Sequence, residues 1–240
     1  MSQYETLRQT GARSAAIDEG LRAYMNRVYA LMGLAMVITG AVAFVIGTSP
    51  TLLQAIFSTP LKWVVMFAPL AVVFGMGAMI NRMSAGTAQL VFWAFSALMG
   101  ASISFIFAVY TGISIAQTFF VTAIAFGGLS LYGYTTKKDL SAMGTFLIMG
   151  VIGLIVASIV NIFLASSALQ FAISTLGVLI FAGLTAYDTQ QIKNEYLSMA
   201  RMGPQGEAYM AKGAIMGALR LYLDFLNMFM FLLQFLGNRE

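Results

Sequence analysis

The chain has no cysteine, no histidine, only four prolines, and just thirteen basic and nine acidic side chains in 240 residues. Without cysteine there are no disulfides, thiolate nucleophiles or cysteine metal sites. Without histidine the commonest near-neutral titrating group and the commonest zinc ligand are both missing. Any response to pH must therefore come from carboxylates in unusual surroundings. Charged residues make up 9% of the chain and hydrophobic ones 60%, with a mean hydropathy of +0.84. Soluble domains carry about 25% charged and roughly 45–50% apolar residues, so this chain cannot cover itself with a polar surface.

What it has instead is long uncharged runs. No charge lies between Arg27 and Lys62, residues 83–136 form 54 consecutive uncharged positions, and residues 140–187 another 48. A helix rising about 1.5 Å per residue needs about 20 residues to cross about 30 Å of hydrocarbon. Each long run therefore holds two spans and a turn. Seven spans are predicted, near 28–47, 63–81, 87–109, 113–134, 142–164, 171–190 and 213–236. Residues 1–21 read as a polar tail and 22–240 as a single transmembrane domain. Glu5, Asp18 and Glu19 in the tail, with the long apolar segment after it, do not fit a signal peptide. A polar connector of 20 residues, 191–210, is the one sizeable loop expected.

With the N-terminus in the cytoplasm, the inner side collects Arg8, Arg13, Arg22, Arg27, Arg82, Lys137, Lys138, Lys193, Arg201 and Lys212, and the outer side keeps Lys62 and Arg239. The positive-inside rule selects that orientation. The net charge of +4 then reports membrane topology, and no basic cluster suggests nucleic-acid binding. Gly33, Gly40 and Gly47, seven apart, predict a close-packing face on the first span, and Gly213 and Gly217 another on the last. Trp63, Tyr110 and Tyr134 fall near span ends, where aromatic anchors are expected. "GLSLYGYTTKK" (128–138) and "GLTAYDTQQIK" (183–193) echo one another, with Gly133 where the second copy has Asp188. A duplication or convergent helix-end chemistry would each account for it.

Two carboxylates lie in apolar context, Asp188 and, in "LYLDFLNMFMFLL" (221–233), Asp224. A charge at mid-membrane costs roughly 2.5–3.5 kcal/mol on insertion scales. These groups must pair, protonate or face water. With alternating spans, Arg82, Asp188 and Asp224 all fall in the cytoplasmic half. Two carboxylates held close cannot both ionise easily and titrate as a unit, which makes them the best pH sensor such a chain could carry. Plainer roles stay open for each: Asp188 bonding groups at a helix end, Asp224 paired with Arg220 one turn away, Arg82 reaching the headgroups. Asn227, a turn beyond Asp224, would extend a polar track or bond a neighbouring helix.

"GLSLYGYTTKKDLS" (128–141), "TAYDTQQIK" (185–193) and "LYLDFLNMF" (221–229) together resemble the bacterial branch of the Bax inhibitor-1, or transmembrane Bax inhibitor motif, family. The resemblance implies an all-α polytopic membrane protein of seven transmembrane helices, the last one central and wrapped by the other six. It implies a pH-sensitive calcium leak in the bacterial inner membrane, with paired aspartates at Asp188 and Asp224, which calcium would visit weakly, and a latching arginine at Arg82. Arg220 departs from the expected small or polar residue and, with Asn227, is a candidate modulator. No catalytic residue and no cofactor is expected; the partners are the bilayer, calcium ions and, in some bacterial members, a membrane-bound quality-control protease. On that second reading the protein is a non-transporting regulator, with the tail and the 191–212 segment as its handles. An intramembrane aspartyl protease also uses two aspartates, one in a "YD", but the second would need a GxGD context and here it has "LYLD".

Overall fold

The structure, a computed structural model, describes residues 2–238, with side chains except those of residues 2–16, 204 and 208. Arg239 and the side chains of the first sixteen tail residues therefore lie outside the described residues. Eight α-helices follow in order: α1 (Ser2–Gly47), α2 (Pro50–Phe57), α3 (Leu61–Met79), α4 (Ala85–Ile103), α5 (Gly112–Thr135), α6 (Ser141–Leu164), α7 (Ser167–Arg201) and α8 (Pro204–Leu236). A 3-10 turn, Ser104–Ala108, extends α4. Seven helices, all but α2, are long and apolar enough to cross a membrane.

Local chemistry sets the boundaries. Ser49, Ser84, Thr111 and Ser166 cap α2, α4, α5 and α7, each side-chain oxygen accepting a backbone N–H three residues on. The turn from α7 to α8 is made by Gly203, at φ +63°, followed by Pro204 in the first turn of α8. Glycine tolerates that left-handed conformation, and proline at a helix start forfeits no hydrogen bond.

That turn corrects the expected connector. Nearly all of 191–210 is helix: α7 runs eleven residues past Gln190, to Arg201, and α8 begins at Pro204. The extensions are packed. Ile192 is wholly buried, and the Tyr196 ring lies 5.1 Å from that of Tyr24 on α1. The tail is helical from Ser2 onward, and Leu21 belongs to the core.

α8 is the most enclosed span, with 61% of its apolar stretch buried against 11% for α6. It packs on α1, α4, α5 and α7, while α3 sits against α4 and α6 against α7. Tyr222 on α8, fully buried, meets Phe92 and Phe95 edge-on. Its hydroxyl lies 2.7 Å from Thr39 Oγ1, which itself donates to the Ser96 carbonyl. Tyr222 is therefore the donor in a polar tie joining α1, α4 and α8.

Two expectations about packing change. Of the heptad glycines only Gly47 is closely approached, by Phe107 and the Ser104 carbonyl; a side chain at Gly33 or Gly40 would meet nothing within 4 Å. Tyr110 is buried against Gly237 at the chain's end and is no interfacial anchor, whereas Trp63 is exposed and stacks on Phe67. Gly213 and Gly217 do serve packing, against Tyr24 and Met199 and against Ile192 respectively.

Candidate functional site

α7 and α8 form an antiparallel hairpin, so Asp188, thirteen residues before the end of α7, and Asp224, twenty after the start of α8, come level from opposite directions. Their carboxyl groups lie within hydrogen-bonding reach of one another. Asp188 is partly buried; Asp224 is 4% exposed, and its Oδ2 is buried with no hydrogen-bond partner among the described residues. A buried acceptor without a donor costs about 1–3 kcal/mol, more when charged. A proton held between the two carboxyls would supply the missing donor.

The cation beside this pair is Arg220. It acts electrostatically on both carboxylates, but its ion pair is with Glu195: one guanidinium nitrogen lies 2.6 and 2.7 Å from the two Glu195 oxygens. The local Arg220–Asp224 pair considered from the sequence is thus replaced by a bridge to the next helix. Glu195 stands seven residues beyond Asp188, two turns along the same face of α7. The Tyr24 hydroxyl on α1, buried and without a hydrogen-bond partner among the described residues, lies near both members of the bridge.

Arg82 stands elsewhere. It is exposed in the turn after α3, and among the described residues it forms no ion pair. The structure does not bring it to the aspartates. Its turn is tethered instead to the start of α8, where Lys212 Nζ donates to the Asn81 carbonyl (3.3 Å). Behind that tether lies a cavity of about 350 Å³ lined by Asn81, Glu195, Tyr209 and Lys212. Glu195, one of its lining residues, is the ion-pair partner of Arg220. Asn227 donates to the Leu223 carbonyl of its own helix and does not extend the track.

The motifs that echo one another along the chain meet here. Gln190 accepts from the Leu140 N–H and donates to the Lys138 carbonyl, while Lys193 donates to the Tyr134 carbonyl and sits over its ring. The second copy thereby clamps the turn that ends the first. Gly133 explains why the first copy has no carboxylate: even a Cβ there would lie 2.1 Å from the Ala186 carbonyl oxygen. Behind them, Tyr29, Ser130 and Thr189 make a hydroxyl relay with spacings of 2.7 and 2.9 Å. Thr189 already donates to the Thr185 carbonyl, so the donors run from Tyr29 to Ser130 to Thr189. In the 136–140 loop, outside the spans, the Ser141 hydroxyl and N–H hold the Asp139 carboxyl below its usual range.

Residues 21–240, which include this hairpin and its motifs, match the family profile described as "Inhibitor of apoptosis-promoting Bax1". The chain belongs to the Bax inhibitor-1 family. An uncharacterized protein of Rickettsia prowazekii (strain Madrid E) is 46% identical over the full length of both chains. An uncharacterized protein of Caulobacter vibrioides is 49% identical over 94% of this chain and 92% of its own. The inner membrane protein YbhL of Escherichia coli (strain K12) is 45% identical over 92% of this chain and 94% of its own. With seven apolar helices and a relative of that name, the chain is a multi-pass inner membrane protein of this family.

Proposed function

We propose that the protein is a pH-sensitive, calcium-permeable leak channel, oriented with its N-terminus in the cytoplasm and gated at Asp188 and Asp224. The observation that carries this reading is the pairing of two carboxyls deep in the α7–α8 hairpin, one of them with a buried oxygen lacking a donor. Such a pair changes its charge as a unit when pH changes, and a change of charge there alters what the hairpin can hold apart or together. Two carboxylates are a thin set for calcium, which takes six to eight oxygens. That suits passage better than storage.

In this conformation the cation that acts on both aspartates is Arg220, ion-paired with Glu195, which lines the cavity at Asn81. For Arg82 to act as the latch the family resemblance implies, the 81–84 turn must leave its Lys212 tether and move inward. The proposed cycle exchanges the two: ionised aspartates draw a guanidinium and close the mouth, and a shared proton releases it. No catalytic role is assigned. The reading as a regulator of a membrane protease has the N-terminal tail and the 191–212 segment as its handles; within the latter Met202 and Tyr209 are 52% and 54% exposed.

Calcium flux into proteoliposomes with a trapped indicator, between about pH 6 and 8, tests the proposal. Wild type should show a flux that depends on pH, and Asp224→Asn should remove that dependence. No flux above empty liposomes at any pH would leave Asp224 a structural partner and favour the regulator.

A further inference from the structure

A seam runs along the bundle between α1 and α5. α1 packs on α4, α7 and α8, and α5 on α7 and α8, but among the described residues the two meet little along their length; the Tyr29–Ser130 hydrogen bond bridges them. The seam is occupied by two cavities of about 490 and 500 Å³. Tyr29 and Phe126 line both, so they form one groove, floored by Phe225 of α8. Gly33 and Gly40 on one wall and Gly127 on the other leave it open, since a side chain at any of them would meet nothing within 4 Å. At its end nearest the chain start it is lined by Arg22 and Asn26, both exposed and one helical turn apart. Deeper in, the Tyr29 and Ser130 hydroxyls are spent on the relay to Thr189.

We propose that this groove binds an anionic glycerophospholipid, with its phosphate on Arg22 and Asn26 and one acyl chain in the seam. The chemistry fits at both ends. A guanidinium fork with an amide donor one turn away suits a phosphate, and the wall beyond, with Phe126 and Phe225, offers apolar surface. Eleven residues separate Arg22 from Gly33, about 16 Å by helix rise, close to the depth of one leaflet of a hydrocarbon core about 30 Å thick. Combined, the cavities match the size range of ligand sites, about 300–1,000 Å³. The relay from Tyr29 runs through Ser130 and Thr189 to the Thr185 carbonyl, so the occupied groove would touch hydrogen bonds anchored on α7, the helix that carries Asp188.

Native mass spectrometry of the full chain, titrated with phosphatidylglycerol or phosphatidylcholine from a neutral detergent, tests this. A cation near a membrane surface favours anionic lipid by about fivefold. Wild type should retain phosphatidylglycerol by about that factor over phosphatidylcholine. Arg22→Gln should bring the two lipids level while both still bind. Gly33→Leu and, separately, Gly127→Leu should reduce retention of both. These helical positions face open space and leucine favours a helix over glycine, so neither variant should unfold. Equal retention of the two lipids by wild type would overturn the proposal, as would leucine variants that bind like wild type. So would a dimer that Gly33→Leu dissolves, because the seam would then belong to a second copy.

Discussion

The α7–α8 hairpin carries a polar cluster at each end, and the two are built from different chemistry. At the end near the α7–α8 turn are Asp188, Glu195, Arg220 and Asp224, with one carboxylate oxygen lacking a donor. At the other, Asn161 donates to Gln170, while Gln170 and Ser174 both donate to Gln234, at 3.0, 2.7 and 3.1 Å. Between them the helices are sealed by apolar rings: Phe181 stacks on Phe231 at 5.9 Å, and Phe231 covers Gly177 so closely that a Cβ there would lie 2.6 Å from the ring. The neutral end is satisfied and has nothing to titrate. The charged end is incompletely satisfied and titratable, which is where a response to pH can arise. The stacked rings separate the two clusters along the hairpin.

Removing the keystone of the neutral end should have the largest effect on stability. Gln234→Ala leaves Gln170 and Ser174 without their shared acceptor, and one lost partner in a part-buried network costs about 1–3 kcal/mol. Thermal unfolding should show that loss equally at about pH 6 and pH 8, because amides and hydroxyls do not titrate there. A loss confined to one pH would mean that the two ends are coupled through the seal.

Breaking the ion pair at the charged end should do less. The side chains of Arg220 and Glu195 are 33% and 41% exposed, so solvent screens them, and pairs of that kind contribute about 1 kcal/mol or less. Glu195→Gln should therefore lower stability only slightly, with a smaller effect at high salt than at low. Its larger consequence should appear in calcium flux, since a freed Arg220 can turn toward the aspartates. A stability loss well above that of Gln234→Ala would show the bridge to be a structural strut of the hairpin.

Seven spans could be read from the sequence because charge is excluded from lipid, and the uncharged runs mark that exclusion directly. Hydropathy does not mark helix ends, however. α7 leaves the apolar run near Gln190 yet continues for three more turns, held by the burial of Ile192 and Tyr196. The signal for where it stops was Gly203-Pro204, a stop-and-start pair inside what looked like a connector. Asp188 and Asp224 stood out because a carboxylate is expensive where they lie. Glu195 was hidden by being polar among polar neighbours, although its spacing of seven from Asp188 put it on the same face. The glycines at 33 and 40 misled in the opposite sense: a small residue permits close packing, but it equally leaves a gap where no helix arrives.

The smallest effect belongs to Asp139, in the loop that Gln190 clamps. Its carboxyl accepts from the Ser141 hydroxyl and N–H, which holds its folded value below the usual carboxylate range. A group whose folded value is depressed adds stability above its unfolded value, near 3.9, and that contribution fades as pH falls through the folded value. At about pH 6 to 8 the contribution is therefore complete and flat. Asp139→Asn keeps an oxygen for the same N–H but cannot ionise, so its unfolding temperature should lie slightly below wild type by a constant amount across that range, and the difference should close only in acid below about pH 4, as wild type loses the contribution. A pH-dependent difference near neutrality would mean that this exposed loop communicates with the carboxylates of the charged end. The clamp from Gln190, two residues from Asp188, is the route by which it would do so.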